Sequence, residues 1–142
     1  SLSIVLAVVP YNEIKKVWDK APDIQKDFKA CYKIVVLWNK LLTTPGGQKV
    51  LNKMPQAWKN LPGSKLQKDL NSLKWTKNPG HHFRMSDKKK DPQWENDKYP
   101  YAQFFKGNDY YDVNKNKVPL ESNASHIKID DLTDEFLDWF FQ

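Results

Sequence analysis

A chain of 142 residues with 39% hydrophobic and 13% aromatic residues has enough apolar material for a buried core, which excludes a globally disordered protein. Its one cysteine, Cys31, excludes an intrachain disulfide and gives no sign of an oxidising compartment. The net charge of +6 favours a polyanionic partner.

That charge is unevenly spread. Residues 1–74 hold 13 basic and 5 acidic groups, residues 75–129 hold 10 and 7, and the last 13 residues hold five acidic groups and no basic one. Lysine supplies every positive charge except Arg84. The chain opens on Ser1 rather than Met, which reads as a piece of something longer or an expression scar. The apolar run Leu2–Val9 is far short of the roughly 20 residues a membrane span needs, so no stable membrane insertion is expected. Its sharper reading is a transient membrane contact during delivery.

In chain order, a short helix is predicted over Tyr11–Lys20 and a longer one over Pro22–Leu42. In the longer one Ile24, Phe28, Cys31, Val35, Trp38 and Leu42 recur every three or four residues, with Cys31 as core filler. Pro22 suits a first helical turn, and Thr43-Thr44-Pro45-Gly46-Gly47 ends the helix. Pro55, Pro62 and Gly63 then leave short helical pieces around Val50-Leu51, Trp58 and Leu66-Leu70-Leu73. Residues 1–74 therefore read as a basic, helical N-terminal subdomain.

At Trp75 the pattern turns to short β-like runs between turn signals. Strands are expected over His81–Ser86, Tyr99–Phe105, Tyr110–Val113, Val118–Leu120 and Ser125–Ile129. Turns are expected at Asn78-Pro79-Gly80, Lys106–Asp109 and Asn114–Lys117. Asp87–Lys98 is polar and reads as an exposed loop or a flap over a site. A closing helix is predicted over Asp130–Gln142, capped by Asp130 or Asp131, with Leu132, Phe136, Leu137 and Phe140 on its apolar face. Trp139 and Phe141 widen that face, either to pack on the helical half or to meet a partner. Residues 75–142 thus form a β-rich unit closed by a helix. The whole is an α+β chain, N-terminal helices packed with a small twisted antiparallel β-sheet.

All three histidines fall in this second part. Strand alternation puts His81 with Phe83 and Met85, and His82 with Arg84 and Ser86 on the opposite face. In Ser125-His126-Ile127-Lys128-Ile129, His126 and Lys128 oppose the isoleucines. With a common core side, His82, Arg84, His126 and Lys128 share one polar face. Two imidazoles suit metal-free RNA cleavage: one takes the 2′-hydroxyl proton, a second acid protonates the leaving 5′-oxygen, and a 2′,3′-cyclic phosphate results. Arg84 and Lys128 would offset charge on the phosphorane oxygens. Tyr101 and Tyr111 are candidates for stacking a base or touching phosphate, as Tyr99 is, and Ser125 is a candidate phosphate contact. No spaced Cys/His set for zinc exists, and neither a metal nor another cofactor is expected. Two alternatives stand beside this reading. His81-His82 with Asn123 and His126 also suits a metal-dependent His-Asn-His DNase, and the lysines and aromatics alone suit a non-catalytic binding module for nucleic acid or protein.

Three stretches carry a family resemblance: Asn78-Pro79-Gly80-His81-His82-Phe83-Arg84-Met85, Tyr99-Pro100-Tyr101-Ala102-Gln103-Phe104-Phe105, and Tyr111–Pro119 with Ser125-His126-Ile127. Residues 75–129 resemble the C-terminal toxin domains of bacterial polymorphic toxins, including contact-dependent growth-inhibition proteins. The last stretch is similar to their D-x-x-G-x-x-V-P … S-x-x-A-H-I ending, with Asn116 where the turn glycine usually stands and a less common Ser122–His126 spacing. The resemblance implies a ribonuclease of the barnase–EndoU–colicin–RelE type, often acting on tRNA, with helices packed on one twisted antiparallel sheet. It implies His82 and His126 as acid and base, Arg84 as phosphate ligand and His81 in reserve. It further implies a cognate immunity protein, and delivery from the cell surface within a larger protein to act in a target cell's cytoplasm. The basic helical half would then correspond to the segment that brings such toxins into the target.

Overall fold

A computed structural model of the chain describes residues 19, 22–59, 65–66 and 71–142. The expected helix over Tyr11–Lys20 and the apolar opening at Leu2–Val9 lie outside the described residues, Asp19 excepted.

Helix α1 spans Pro22–Leu42, as its periodicity predicts. Side chains are described only along its later part, so the Cys31 reading lies outside them; there Leu37, Leu41 and Leu42 are buried and Trp38 packs beside them. The Thr43–Gly47 signal stops this helix but also starts another, α2 (Pro45–Lys53). Thr44 is its N-cap, accepting from Gly47 N at 3.0 Å, and Pro45 occupies a first-turn position where no N–H is missed. Helix α3 is a single turn, Gln56–Lys59, that buries Trp58.

The sheet has seven strands, all antiparallel: β1 (Lys65–Leu66), β2 (Ser72–Asn78), β3 (His81–Ser86), β4 (Tyr101–Lys106), β5 (Asp109–Tyr111), β6 (Lys117–Val118) and β7 (Ile127–Lys128). The order is β1-β2-β3-β4-β5-β6, and β7 pairs with the first half of β4 while β5 takes its second half. Leu73, expected in a helical piece, lies in β2 instead. A domain boundary between residues 74 and 75 would cut that strand, and residues of α1, α2, α3, the sheet and the closing helix share one hydrophobic cluster. The helical and β-rich parts are therefore not two cores.

Turn chemistry explains the short connections. Gly107 and Asn108 both take positive φ, 58° and 68°, the two-residue hairpin turn whose twist matches its strands. Asp112 Oδ1 accepts from the backbone N–H of Asn114 and Asn116, which rounds the β5–β6 loop, and Lys115 rather than Asn116 takes the left-handed position there, at φ 66°. The closing helix α4 (Asp134–Phe140) is capped by Thr133, which accepts from Phe136 N; Asp130 and Asp131, the expected caps, belong to a preceding 3-10 turn. Trp139 packs on Tyr111 and Phe141 on Trp58, so both extra aromatics make contacts within the chain.

Helix α2 is seated so closely that its glycines are required. A Cβ on Gly46 would lie 2.0 Å from the Ile129 carbonyl oxygen, and backbone cannot swing aside as a side chain can. Helix propensity alone would favour Gly46→Ala by about 1 kcal/mol. The collision reverses the sign: Gly46→Ala is expected to destabilise the chain by about 1–3 kcal/mol, read as a lowered urea midpoint with unchanged slope.

Candidate functional site

Register assigns the faces of the sheet. Trp75, Phe83 and Phe104 are direct cross-strand partners on β2, β3 and β4, stacked nearly parallel at 4.9 and 5.5 Å, and they point into the core. The residues between them point the other way. There, Lys74 faces Arg84 and Arg84 faces Gln103; on one side lies the row Ser72, Ser86, Tyr101, Lys128, and on the other Thr76, His82, Phe105, Tyr110. His126 directly precedes β7, and its ring stacks on Tyr101 at 4.9 Å and 10°, so it stands on this face as well. His82, Arg84, His126 and Lys128 thus share the polar face.

Sharing a face is not convergence. His82 stacks on Phe105 at 4.6 Å, His126 on Tyr101, and those supports are four residues apart on β4, roughly 13 Å along the strand. Two nitrogens within hydrogen-bond reach of the entering and leaving oxygens of one phosphodiester stand within roughly 9 Å. The expected pairing of His82 and His126 as base and acid therefore does not form. His82 is also a poor acid at neutral pH. Burial first, then Lys74, Arg84 and His81, push its pKa down to about 4.

His81 is a core residue, as its alternation with Phe83 and Met85 indicates, and not a reserve catalyst. Its Nε2–H donates to the Phe140 carbonyl at 2.6 Å, and its ring meets Trp58 and Phe140 edge-on. Burial lowers its pKa against the opposing pull of that carbonyl. Tyr111 faces the core side beside Trp139, not the polar face. Ser125 has no exposure, and its hydroxyl is shared by the carbonyls of Leu120 and Ser122, so it shapes the loop before His126 instead of meeting phosphate. Tyr101 is on the right face but only 4% exposed, a support for His126 rather than an open platform. Tyr99, 47% exposed with Lys128 Nζ 4.3 Å from its ring centre, is more accessible.

The partner of His126 comes from the 87–98 segment. Asp97, fully buried in the 3-10 turn Glu95–Lys98, accepts the Nδ1–H of His126. Its other oxygen, Oδ2, has Lys89 Nζ at 3.3 Å but no hydrogen bond. Beside it, Asn96 donates to the carbonyls of Asn123 and His126 and accepts nothing from that loop, while its own N–H donates to Asn123 Oδ1. The flap and the His126 loop are thereby clamped together. Lys89 Nζ also lies 5.7 Å from the centre of the Tyr101 ring. Burial pulls the Lys89 pKa down, but the Tyr101 phenol and the Asp97 carboxylate outweigh it and hold it above the usual lysine value.

The arrangement fixes His126 chemically. Donation from Nδ1 places the free electron pair at Nε2, which has no hydrogen-bond partner among the described residues. On the same face Lys89 lies beside Asp97 and the Tyr101 ring, Lys128 follows two residues along in β7, and Arg84 stands across from Gln103. Among the described residues no carboxylate pairs with Arg84 or Lys128, and no group of three His, Cys, Asp or Glu side chains converges as a metal-ligand set. Among them too, no helix is long and apolar enough to cross a membrane. No family model, curated protein or solved structure matches the chain.

His82 gives this face a measurable pH signature. Folded, it stays neutral down to about pH 4; unfolded, it is neutral only above its ordinary value near 6.5. Between those values unfolding takes up a proton, so stability falls as the pH drops from about 6.5 to about 4 and is unaffected by this group above that window. Urea unfolding of wild type and His82→Gln should therefore show the variant losing less stability across that window, with parallel curves above it.

Proposed function

We propose that the polar sheet face cleaves RNA, with His126 as the proton acceptor and Asp97 as the group that orients it. The observation that supports this reading is a buried carboxylate that holds an imidazole by Nδ1 and has Lys89 beside its other oxygen, on a face where Arg84 and Lys128 meet no carboxylate among the described residues. Nε2 of His126 takes the proton from a ribose 2′-hydroxyl as its oxygen attacks phosphorus. The bond from phosphorus to the 5′-oxygen breaks, that oxygen takes a proton from solvent, and the products are a 2′,3′-cyclic phosphate and a 5′-hydroxyl. Lys89 offsets the charge that grows on the non-bridging oxygens. Attack by the 2′-hydroxyl confines the activity to RNA, and tRNA is the substrate suggested by the toxin resemblance of residues 75–129. That resemblance also supports a setting in which the domain is delivered into a competitor and its producer is protected by an immunity protein.

The test is incubation of the purified chain with total tRNA and with unstructured RNA in EDTA. Cleavage leaving 2′,3′-cyclic phosphate ends is expected, falling about 10²–10⁴-fold in His126→Ala and less in Asp97→Asn. Thermal melts of both variants separate lost chemistry from lost folding. Intact RNA at every protein concentration, or cutting of DNA that EDTA abolishes, overturns the reading.

A further inference from the structure

The cleavage chemistry leaves one corner of the polar face unused. Lys74 and Arg84 are direct cross-strand partners on β2 and β3, and Thr76 and His82 are the next pair toward the β2–β3 turn. Partners so placed stand about 5 Å apart, and like charges facing each other there are destabilising unless something offsets them. Among the described residues neither cation has a carboxylate partner, whereas Lys40, Lys53, Lys89, Lys98, Lys115 and Lys117 all do. The groups placed around this corner are basic or neutral: Lys65 of β1 at the register position beside Lys74, Lys74 and Thr76 from β2, Arg84 and His82 from β3, Gln103 and Phe105 from β4 and Tyr110 from β5. Lys74, Thr76, Arg84, His82, Phe105 and Tyr110 are partly solvent-exposed, so an anion can reach them. The field they make is felt within the site, because Lys74 and Arg84 are, after burial, the causes that keep His82 unprotonated.

We propose that Lys74, Arg84 and His82 bind a second phosphodiester of the same RNA strand, so that the substrate lies across the strands from His126 toward β2 and must be single-stranded and longer than a dinucleotide. Arg84 stands two strand spacings, roughly 10 Å, from β7, which is too far for Lys74 beyond it to serve the scissile phosphate. The single-stranded requirement follows from the track: a path across a pleated sheet holds successive phosphates and bases of one extended strand, as basic and aromatic platforms do for unpaired nucleic acid. This inference rests on the nuclease reading, and its test is separable from it.

His82 is the reporter. Its ring signals are followed by NMR through a pH titration, alone, with inorganic phosphate, and with an uncleavable 2′-deoxy oligonucleotide at matched phosphate concentration. Phosphate bound beside it stabilises the imidazolium, so the midpoint should rise by about one unit, at lower concentration for the oligonucleotide than for free phosphate. In Lys74→Gln the midpoint should start higher and respond less. In cleavage assays the same variant should raise KM for a tetranucleotide about tenfold and for a dinucleotide much less. An oligonucleotide that leaves His82 unmoved, or a KM change equal for both lengths, overturns the proposal while cleavage stands. A His82 response without any cleavage overturns instead the reading on which it rests.

Discussion

Trp75, Phe83 and Phe104 lie ring on ring across three neighbouring strands, and Phe136 and Phe140 of α4 meet Phe104 edge-on from above. A strand has a period of two, so a slip of one residue in any of these pairings would turn the rings to solvent and Lys74, Arg84 and Gln103 into the core. Burying aromatic rings contributes several kcal/mol each, and exposing them while burying two unpaired cations costs more still. The stack is therefore what places the polar face. Its position is inherited from packing on the far side of the sheet, not built by contacts among the polar groups themselves.

That dependence explains what could be read from the sequence. The faces of β3 and β7 were legible because Phe83 and Met85, and then Ile127 and Ile129, alternate with polar residues, and alternation is a local property. Pro22–Leu42 was legible for the same reason at a different period. Two local signals misled. Leu66, Leu70 and Leu73 repeat at helical spacing, yet Leu73 is buried as a strand residue beneath the sheet partners Met85 and Ala102. Thr44-Pro45 reads equally as the end of one helix and the cap of the next, and both are true here.

The site was half legible. Alternation brought His82, Arg84, His126 and Lys128 to one face but carried no information on how far apart they stand, since distance along β4 depends on which half of that strand each neighbour takes. Asp97 left no periodic trace: it sits in a charged run next to Glu95 and Lys98, 29 residues from His126, and its burial depends on Asn96 and Lys89 closing the flap. The one clue was that a polar segment of that length flanked by strands suits a flap. A carboxylate that loses all its exposure inside such a run cannot be told from its exposed neighbours by residue type.

The closing helix adds a consequence for the molecule as a whole. Asp134, Glu135 and Asp138 are exposed on α4, which covers the aromatic side of the sheet, while Lys74, Arg84 and Lys128 stand on the reverse. Two of those carboxylates are already paired, Asp138 with Lys53 and Glu135 with Lys115, whereas among the described residues Lys74, Arg84 and Lys128 meet no carboxylate, so the reverse of the sheet keeps its positive charge uncompensated. A polyanion approaching that face is drawn in, so that encounters begin already oriented before any specific contact is made.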